Sequence, residues 1–127
     1  MSKIFYVDDD SMLLDVFGRG FKFAGHNVIL VKDANTVVES LHSMNPKPDV
    51  ILLDIKMPVK DGFEILTEIK SEQELKEIPV VCFSNMMNKE DMEKAKSLGA
   101  TEYIVKSEHT PKQVVSIVED VIKRSKK

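Results

Sequence analysis

Five short apolar runs are separated by longer segments of mixed polarity. The runs are rich in Val and Ile, and those near the middle of the chain lack polar alternation, which is typical of strands buried on both faces. The runs at 50–53 and 80–83 are the clearest and should lie centrally in a sheet. We therefore predict strands at Ile4 to Val7, Val28 to Val31, Val50 to Leu53, Val80 to Phe83 and Tyr103 to Val105.

The intervening segments have the three- and four-residue apolar spacing of amphipathic helices. In the first, Leu14, Phe17 and Phe21 follow this spacing, Ser11 is placed to cap the helix start, and Gly25 is placed to end it. Four further helices are predicted around Val37, Val38 and Leu41; Phe63, Leu66 and Ile69; Met92, Ala95 and Leu98; and Val114 to Ile122, the last with Thr110 as cap and Pro111 at its first position.

The strict alternation of strands and helices predicts an α/β fold. Parallel strands joined by right-handed crossovers place helices on both faces of one sheet. With 127 residues, of which 43% are hydrophobic, the chain can form one real core and leaves little room for a second. We therefore expect a single domain over residues 1–127, with any ligand bound beyond the carboxyl ends of the strands.

Charge and hydropathy exclude several classes of protein. A net charge of −3 gives no general attraction to nucleic acid, and the basic segment 123–127 is typical of a solvated helix end. No apolar run approaches the roughly 20 residues that cross a bilayer, and the first residues lack the layout of a signal peptide. We therefore expect a cytoplasmic protein that binds neither DNA nor membranes directly. The single cysteine, Cys82, should be buried and inert.

Acidic, hydroxyl and basic side chains follow four of the five predicted strands. Three aspartates, 8–10, follow the first strand, Asp54 ends the third, Ser84 ends the fourth and Lys106 follows the fifth. The three aspartates alone are better explained by helix capping, but four strand ends that supply one edge favour a functional site. Because clustered carboxylates repel one another, such a site needs a compensating cation, and Mg²⁺ with oxygen ligands is suitable.

The sequence resembles the receiver domains of bacterial two-component response regulators, especially the single-domain chemotaxis type. The resemblance rests on Val-Asp-Asp-Asp at 7–10, Asp-Ile-Lys-Met-Pro at 54–58, Asp-Gly at 61–62, Ser84 and Lys106, in the family's order and spacing. It covers essentially the whole chain. It implies a flavodoxin-like, doubly wound parallel sheet of five strands in the order 2-1-3-4-5.

The resemblance also implies a phosphorylation site with a bound metal ion. Asp54 would accept a phosphoryl group from a histidine kinase or histidine phosphotransfer protein. Mg²⁺, or Mn²⁺ in its place, would be bound by Asp54 and Asp9, by Asp8 through water or by orientation, and by the backbone carbonyl of Lys56. Phosphoryl transfer requires mainly positioning and neutralisation of charge, which such a site supplies.

Three further residues would turn phosphorylation into a signal. By resemblance, Ser84 would hydrogen-bond the phosphoryl group, Lys106 would pair with it, and Tyr103 would be the aromatic residue coupled to Ser84. The protein would act as a switch rather than an enzyme, catalysing only its own phosphoryl transfer and dephosphorylation. It would signal to an unidentified protein partner or pass phosphate along a relay, as a monomer or a phosphorylation-promoted dimer.

The sequence departs from the family's pattern at three places. Ser107 stands where a proline commonly follows the lysine, so we expect the loop after the fifth strand to differ in shape. Asn85 replaces a small residue and could narrow access for phosphate. Met86 and Lys56 occupy positions that modulate water access, and therefore the lifetime of the phosphate. None of these departures removes a required group.

Other functions remain open at this point. The pair Asp8-x-Asp10 mimics the motif of haloacid-dehalogenase-like phosphohydrolases, although that family needs a longer chain. A flavodoxin-like electron carrier would need a loop rich in Ser, Thr and Gly where this chain has aspartates. A degenerate receiver that binds partners without phosphorylation is a third alternative, against which the intact acceptor and acids argue.

Overall fold

The computed structural model describes residues 2–58, 60–85 and 87–125. Five strands and five α-helices alternate along these residues. The strands are β1 (Lys3–Val7), β2 (Asn27–Val31), β3 (Val50–Asp54), β4 (Val80–Ser84) and β5 (Glu102–Val105). The helices are α1 (Ser11–Phe23), α2 (Val37–Ser43), α3 (Gly62–Ser71), α4 (Lys89–Ser97) and α5 (Pro111–Ser125). Every predicted strand and helix is therefore confirmed.

The strands form one parallel sheet in the order β2-β1-β3-β4-β5, which confirms the predicted doubly wound topology. β3 lies at the centre of the sheet, as its apolar run at 50–53 predicts. Along the sheet, Val7 pairs with Leu53, Asp54 with Phe83, and Ser84 with Val105. The strands therefore end nearly level, so the residues that follow them share one edge.

Two hydrophobic cores lie on opposite faces of the sheet. Residues of α1 and α5 pack on one face, and residues of α2, α3 and α4 on the other. Cys82 of β4 lies in the second of these cores, and burial raises the pKa of its thiol to about 12. The thiol therefore stays protonated at neutral pH, in agreement with the inert role expected for it.

The start of α1 differs from the sequence prediction. Asp10, not Ser11, is the N-cap, and its carboxylate accepts hydrogen bonds from the backbone N–H groups of Met12 and Leu13. Ser11 is the first helical residue. The prediction was wrong because Asp10 is already extended, with φ of −93° and ψ of 109°, and its carboxylate can reach two N–H groups that no turn of the helix satisfies.

The other predicted helix boundaries are confirmed. Gly25 follows α1 with a φ of +95°, where the N–H of His26 donates to the carbonyl of Phe21. Thr110 caps α5 through its hydroxyl, while the backbone N–H of Thr110 donates to the side chain of Gln113. Over the described ranges, no helix has both the length and the apolar content needed to cross a membrane.

Candidate functional site

A pocket of about 320 Å³ opens at the carboxyl edge of the sheet, where the ends of β1, β3, β4 and β5 meet. Its walls contain all but one of the residues for which a role is predicted, together with three neighbours. The lining residues are Asp8, Asp9, Asp10, Leu13, Asp54, Lys56, Ser84, Asn85 and Lys106. The convergence predicted from the strand ends is therefore present.

Three carboxylates line this pocket close to one another. Asp8, Asp9 and Asp54 each offer an oxygen, and these atoms all lie within 4.8 Å of one another. Asp8 and Asp54 are buried, with 0% and 3% of their surface exposed. Burial raises the pKa of Asp54 to about 7, an effect that Lys106 opposes and Asp8 reinforces. Near neutral pH, without a metal ion, Asp54 therefore exists in both protonation states.

Lys106 supplies positive charge to two of these acids. Its Nζ donates to Oδ2 of Asp8 at 2.8 Å and lies 3.4 Å from Oδ1 of Asp54. The residue begins a short 3₁₀ turn, Lys106–Glu108, directly after β5, and is 9% exposed. The ammonium group thus lies between the first and third strand ends, within reach of any group that Asp54 carries.

Tyr6 is a site residue that we did not predict. Its hydroxyl donates to Oδ2 of Asp8 at 2.9 Å, and the backbone N–H of Asp10 donates to Oδ1 of Asp8 at 3.0 Å. With Lys106, these donors occupy both oxygens of Asp8. The sequence could have indicated this role. Residues two apart in a strand share a face, which places Tyr6 beside Asp8, and a buried tyrosine hydroxyl requires a hydrogen-bond partner.

The hydroxyl of Ser84 lies close enough to Tyr103 to influence the pKa of its phenol group. Ser84 is buried at the end of β4, and Tyr103 is half-buried on the neighbouring β5. Burial raises the pKa of Tyr103, although the interaction with Ser84 lowers it in part. The two residues are therefore neighbours on adjacent strands, and their coupling as a switch stays a prediction.

Two of the departures from the family's pattern contact each other. The backbone N–H of Ser107 donates to Oδ1 of Asn85 at 2.9 Å. The Lys106–Ser107 peptide bond is trans. A proline at 107 could not make this contact, because it lacks an N–H. The side chain of Lys56, a further departure, is exposed at the pocket rim. Met86 lies outside the described residues. The same holds for Lys126 and Lys127 of the basic tail.

The chemistry of these donors fits a hard divalent cation. Carboxylate and backbone carbonyl oxygens suit Mg²⁺ and Mn²⁺, whereas Cys82, the one thiol in the chain, lies in a core. Asp8, Asp9 and Asp54 are the residues that would hold such an ion, with the carbonyl of Lys56. A bound cation would also offset the repulsion that raises the pKa of Asp54.

A doubly wound parallel sheet with an acidic pocket at its carboxyl edge places the chain in the flavodoxin-like class of α/β proteins. Residues 4–119 match the family model described as the response regulator receiver domain. The chain therefore belongs to the response regulator receiver family. This confirms the resemblance drawn from the sequence.

Three matches to known proteins are informative. Response regulator Rcp1 of Synechocystis is 36% identical over 87 residues, which cover 65% of this chain and 59% of Rcp1, so the chain spans little more than half of that relative. The structure of the phosphorylated cyanobacterial phytochrome response regulator RcpA is 34% identical, with a TM-score of 0.81 over 94% of this chain and 90% of that one. The structure of Mn²⁺-bound Rcp1 is 28% identical, with a TM-score of 0.77 over 98% and 89%.

Proposed function

We propose that the protein is a phosphorylation-dependent switch in which Asp54 is the phosphoryl acceptor. The observation that carries this proposal is the surroundings of Asp54. It is a buried carboxylate at the end of the central strand, within 4.8 Å of the ligand atoms of Asp8 and Asp9 and 3.4 Å from Nζ of Lys106. A buried aspartate with a purely structural role needs only one partner of opposite charge. Here three carboxylates lie beside one ammonium group, and this arrangement suits the binding of a metal ion and a phosphoryl group.

In the proposed reaction, a carboxylate oxygen of Asp54 attacks the phosphorus atom of a phosphohistidine. A phosphorus–oxygen bond forms, the phosphorus–nitrogen bond breaks, and the histidine nitrogen leaves with its electron pair. A divalent cation, when bound, neutralises the charge that gathers on the oxygens. Lys106 shifts from the carboxylates to the phosphoryl group, and the hydroxyl of Ser84 donates to it.

The change at Ser84 is the proposed origin of the signal. If Ser84 turns toward the phosphoryl group, its interaction with Tyr103 changes, and Tyr103 can rotate on β5. The elements expected to respond are α4, β5 and α5. We propose a histidine kinase or histidine phosphotransfer protein as the phosphodonor, an unidentified protein as the target, and the cytoplasm as the place of action.

Two relatives support this proposal by what their structures contain. RcpA was solved in a phosphorylated form, and Rcp1 with Mn²⁺. Their identities to this chain, 34% and 28%, extend over nearly its whole length. We propose the same two properties for this protein, with Mg²⁺ as the ion used and Mn²⁺ as a substitute.

Incubation with acetyl phosphate and Mg²⁺, followed by intact mass measurement, tests the proposal. We expect one added phosphoryl group, stable in acid and labile in base, which is absent without metal. Asp54→Asn should abolish the adduct, while Asp61→Asn, which retains the cap of α3, should leave it unchanged. An unchanged mass of the unmodified protein, with the donor shown to be competent on another receiver, would contradict the proposal.

The alternative function is that of a phosphohydrolase in which Asp8 is the nucleophile. Asp8 is fully buried and both of its oxygens accept hydrogen bonds, which disfavours it as an attacking group. Multiple turnover on a small phosphomonoester that survives Asp54→Asn and is lost in Asp8→Asn would establish that alternative. We expect no such turnover.

A further inference from the structure

Tyr6 is a buried polar side chain that the proposed reaction leaves without a role. It is fully buried in the core between the sheet, α1 and α5, where its ring packs edge-on against Phe83 with 5.9 Å between the ring centroids. Its hydroxyl donates to Oδ2 of Asp8 at 2.9 Å. A phenylalanine would fill nearly the same space, so packing alone does not account for the hydroxyl.

The hydroxyl shares its acceptor atom with Lys106. Nζ of Lys106 donates to the same Oδ2 of Asp8 at 2.8 Å and lies 3.4 Å from Oδ1 of Asp54. The other oxygen of Asp8 accepts the backbone N–H of Asp10 at 3.0 Å. Asp8 is therefore a buried carboxylate with three donors, and one of these donors also faces the proposed phosphoryl acceptor.

The ammonium group of Lys106 cannot bind Asp8 and a phosphorylated Asp54 equally well. A phosphoryl group brings more negative charge than a carboxylate and would draw the ammonium group toward itself. Asp8 would then lose one of its three hydrogen-bond donors, and a buried oxygen left with fewer donors is disfavoured even where a metal ion supplies compensating charge. The Tyr6 hydroxyl is held by the packing of its ring and stays in place as a donor.

We propose that Tyr6 is a positioning residue that keeps Asp8 hydrogen-bonded when Lys106 moves to the phosphoryl group. This inference rests on the proposed function of Asp54. The Tyr6 hydroxyl contributes more in the phosphorylated state than in the resting state, because Asp8 then has fewer donors. Its removal should therefore shift the balance toward the resting state, in which Lys106 stays on Asp8.

Beryllofluoride, which binds a carboxylate as a stable analogue of its phosphoryl group, allows this balance to be measured at equilibrium. With Mg²⁺ saturating and bound fluoride followed by ¹⁹F NMR, we expect Tyr6→Phe to weaken binding about tenfold. In a Lys106→Met background no ammonium group is transferred, so the same substitution should change the affinity by less than about twofold. A residue with a merely structural role would have the same effect in both backgrounds.

Ile4→Val is the matched control. Ile4 is fully buried in the same strand and the same core as Tyr6, and loss of one methylene there leaves a small cavity that lowers stability. We expect this control to leave beryllofluoride affinity unchanged. A similar loss of affinity in Ile4→Val would show that general destabilisation is responsible, and would overturn the inference.

Three other results would also overturn it: an unchanged affinity in Tyr6→Phe, an equal loss in the Lys106→Met background, or a Tyr6→Phe variant that does not fold. The last would show that the hydroxyl is needed for the fold itself. Failure of the unmodified protein to bind beryllofluoride would be distinguishable from these results. It would remove the proposed function, and this inference with it.

Discussion

At the scale of single residues, the site is a balance of charges around Asp54. Two buried carboxylates, Asp8 and Asp54, share one ammonium group, while Asp9 adds a third negative charge at the rim. The pKa of Asp54 is raised to about 7 mainly because the residue is buried, and the opposing effect of Lys106 is incomplete. The site therefore lacks positive charge, which a divalent cation would supply.

The raised pKa of Asp54 predicts that the metal-free protein becomes less stable as pH rises. The folded state holds the proton on Asp54 up to about pH 7, whereas an unfolded aspartate loses it near pH 4. Between these values the folded state binds more protons, so the free energy of unfolding falls with increasing pH. Urea unfolding at about pH 5.5 and about pH 8 measures this difference.

The Asp54→Asn variant is the control for this pH dependence of stability. The variant carries no proton to lose at position 54, so we expect a smaller decrease in the free energy of unfolding over the same pH range. Saturating Mg²⁺ should reverse the trend in the unmodified protein, because the ion binds the ionised carboxylate. Equal pH dependence in the metal-free variant and the unmodified protein would contradict the assignment.

Asp9→Asn should separate metal binding from stability. Removing one of three carboxylates within 4.8 Å relieves repulsion, so we expect the metal-free fold to gain on the order of 1 kcal/mol. The same change removes a ligand and should weaken Mg²⁺ binding, which calorimetric titration can measure. Asp10→Asn is the matched control, because it removes the same charge one residue away while asparagine retains the N-cap of α1.

The account of Asp9 depends on the contrast between these two variants. Mg²⁺ affinity that falls equally in Asp9→Asn and Asp10→Asn would indicate a general effect of charge rather than a ligand. A metal-free Asp9→Asn protein that melts below the unmodified protein would show that the carboxylates do not repel one another as the geometry implies.

At the scale of elements, the start of α3 fixes the position of Asp54. The N–H of Gly62 donates to the carbonyl of Ile55 at 2.7 Å, directly after β3. A Cβ on Gly62 would lie 2.4 Å from the backbone oxygen of Asp54 and 2.6 Å from Cα of Ile55. The absence of a side chain at 62 therefore allows α3 to begin against the backbone of the acceptor.

Gly62→Ala should consequently damage both the fold and the site. Backbone atoms cannot yield as a flexible side chain does, so we expect a loss of about 2–3 kcal/mol in the free energy of unfolding and slower phosphorylation by acetyl phosphate. Gly18→Ala is the control in α1. Its Cβ would meet only the side chain of Leu30, at 3.1 Å, and Leu30 is 39% exposed and can move.

For the Gly18→Ala control we expect unchanged or slightly higher stability, because alanine is favoured over glycine in a helix by up to about 1 kcal/mol. Chemical denaturation of both variants provides the comparison. If Gly62→Ala were as stable as Gly18→Ala, the close approach of α3 to Asp54 would not be a constraint on the fold.

The sequence was sufficient to locate the elements but not all their contacts. Apolar runs such as 50–53 and 80–83 could be recognised because they are buried on both faces, and helix ends such as Gly25 because few residues adopt a positive φ. The contact between Asn85 and Ser107 could not be predicted, since it depends on the register of β4 against β5. The strand order itself came from the family resemblance.

At the scale of the whole molecule, two tyrosines contact the site from opposite faces of the sheet. Tyr6 belongs to the core beneath α1 and α5 and donates to Asp8. Tyr103 packs against the other core and lies near Ser84, which influences the pKa of its phenol group. A phosphoryl group on Asp54 would therefore alter contacts with both cores, which is how we expect a small chemical change to reach the surface.

The identity of the acceptor is the central claim, and chemical mapping tests it most directly. Borohydride reduces an acyl phosphate on aspartate to homoserine, which peptide mass spectrometry can place in the sequence. After treatment with acetyl phosphate and Mg²⁺, we predict homoserine at position 54, and none at Asp8, Asp9 or Asp10. Homoserine at one of those three positions, or at none in a protein whose intact mass shows the adduct, would contradict the account.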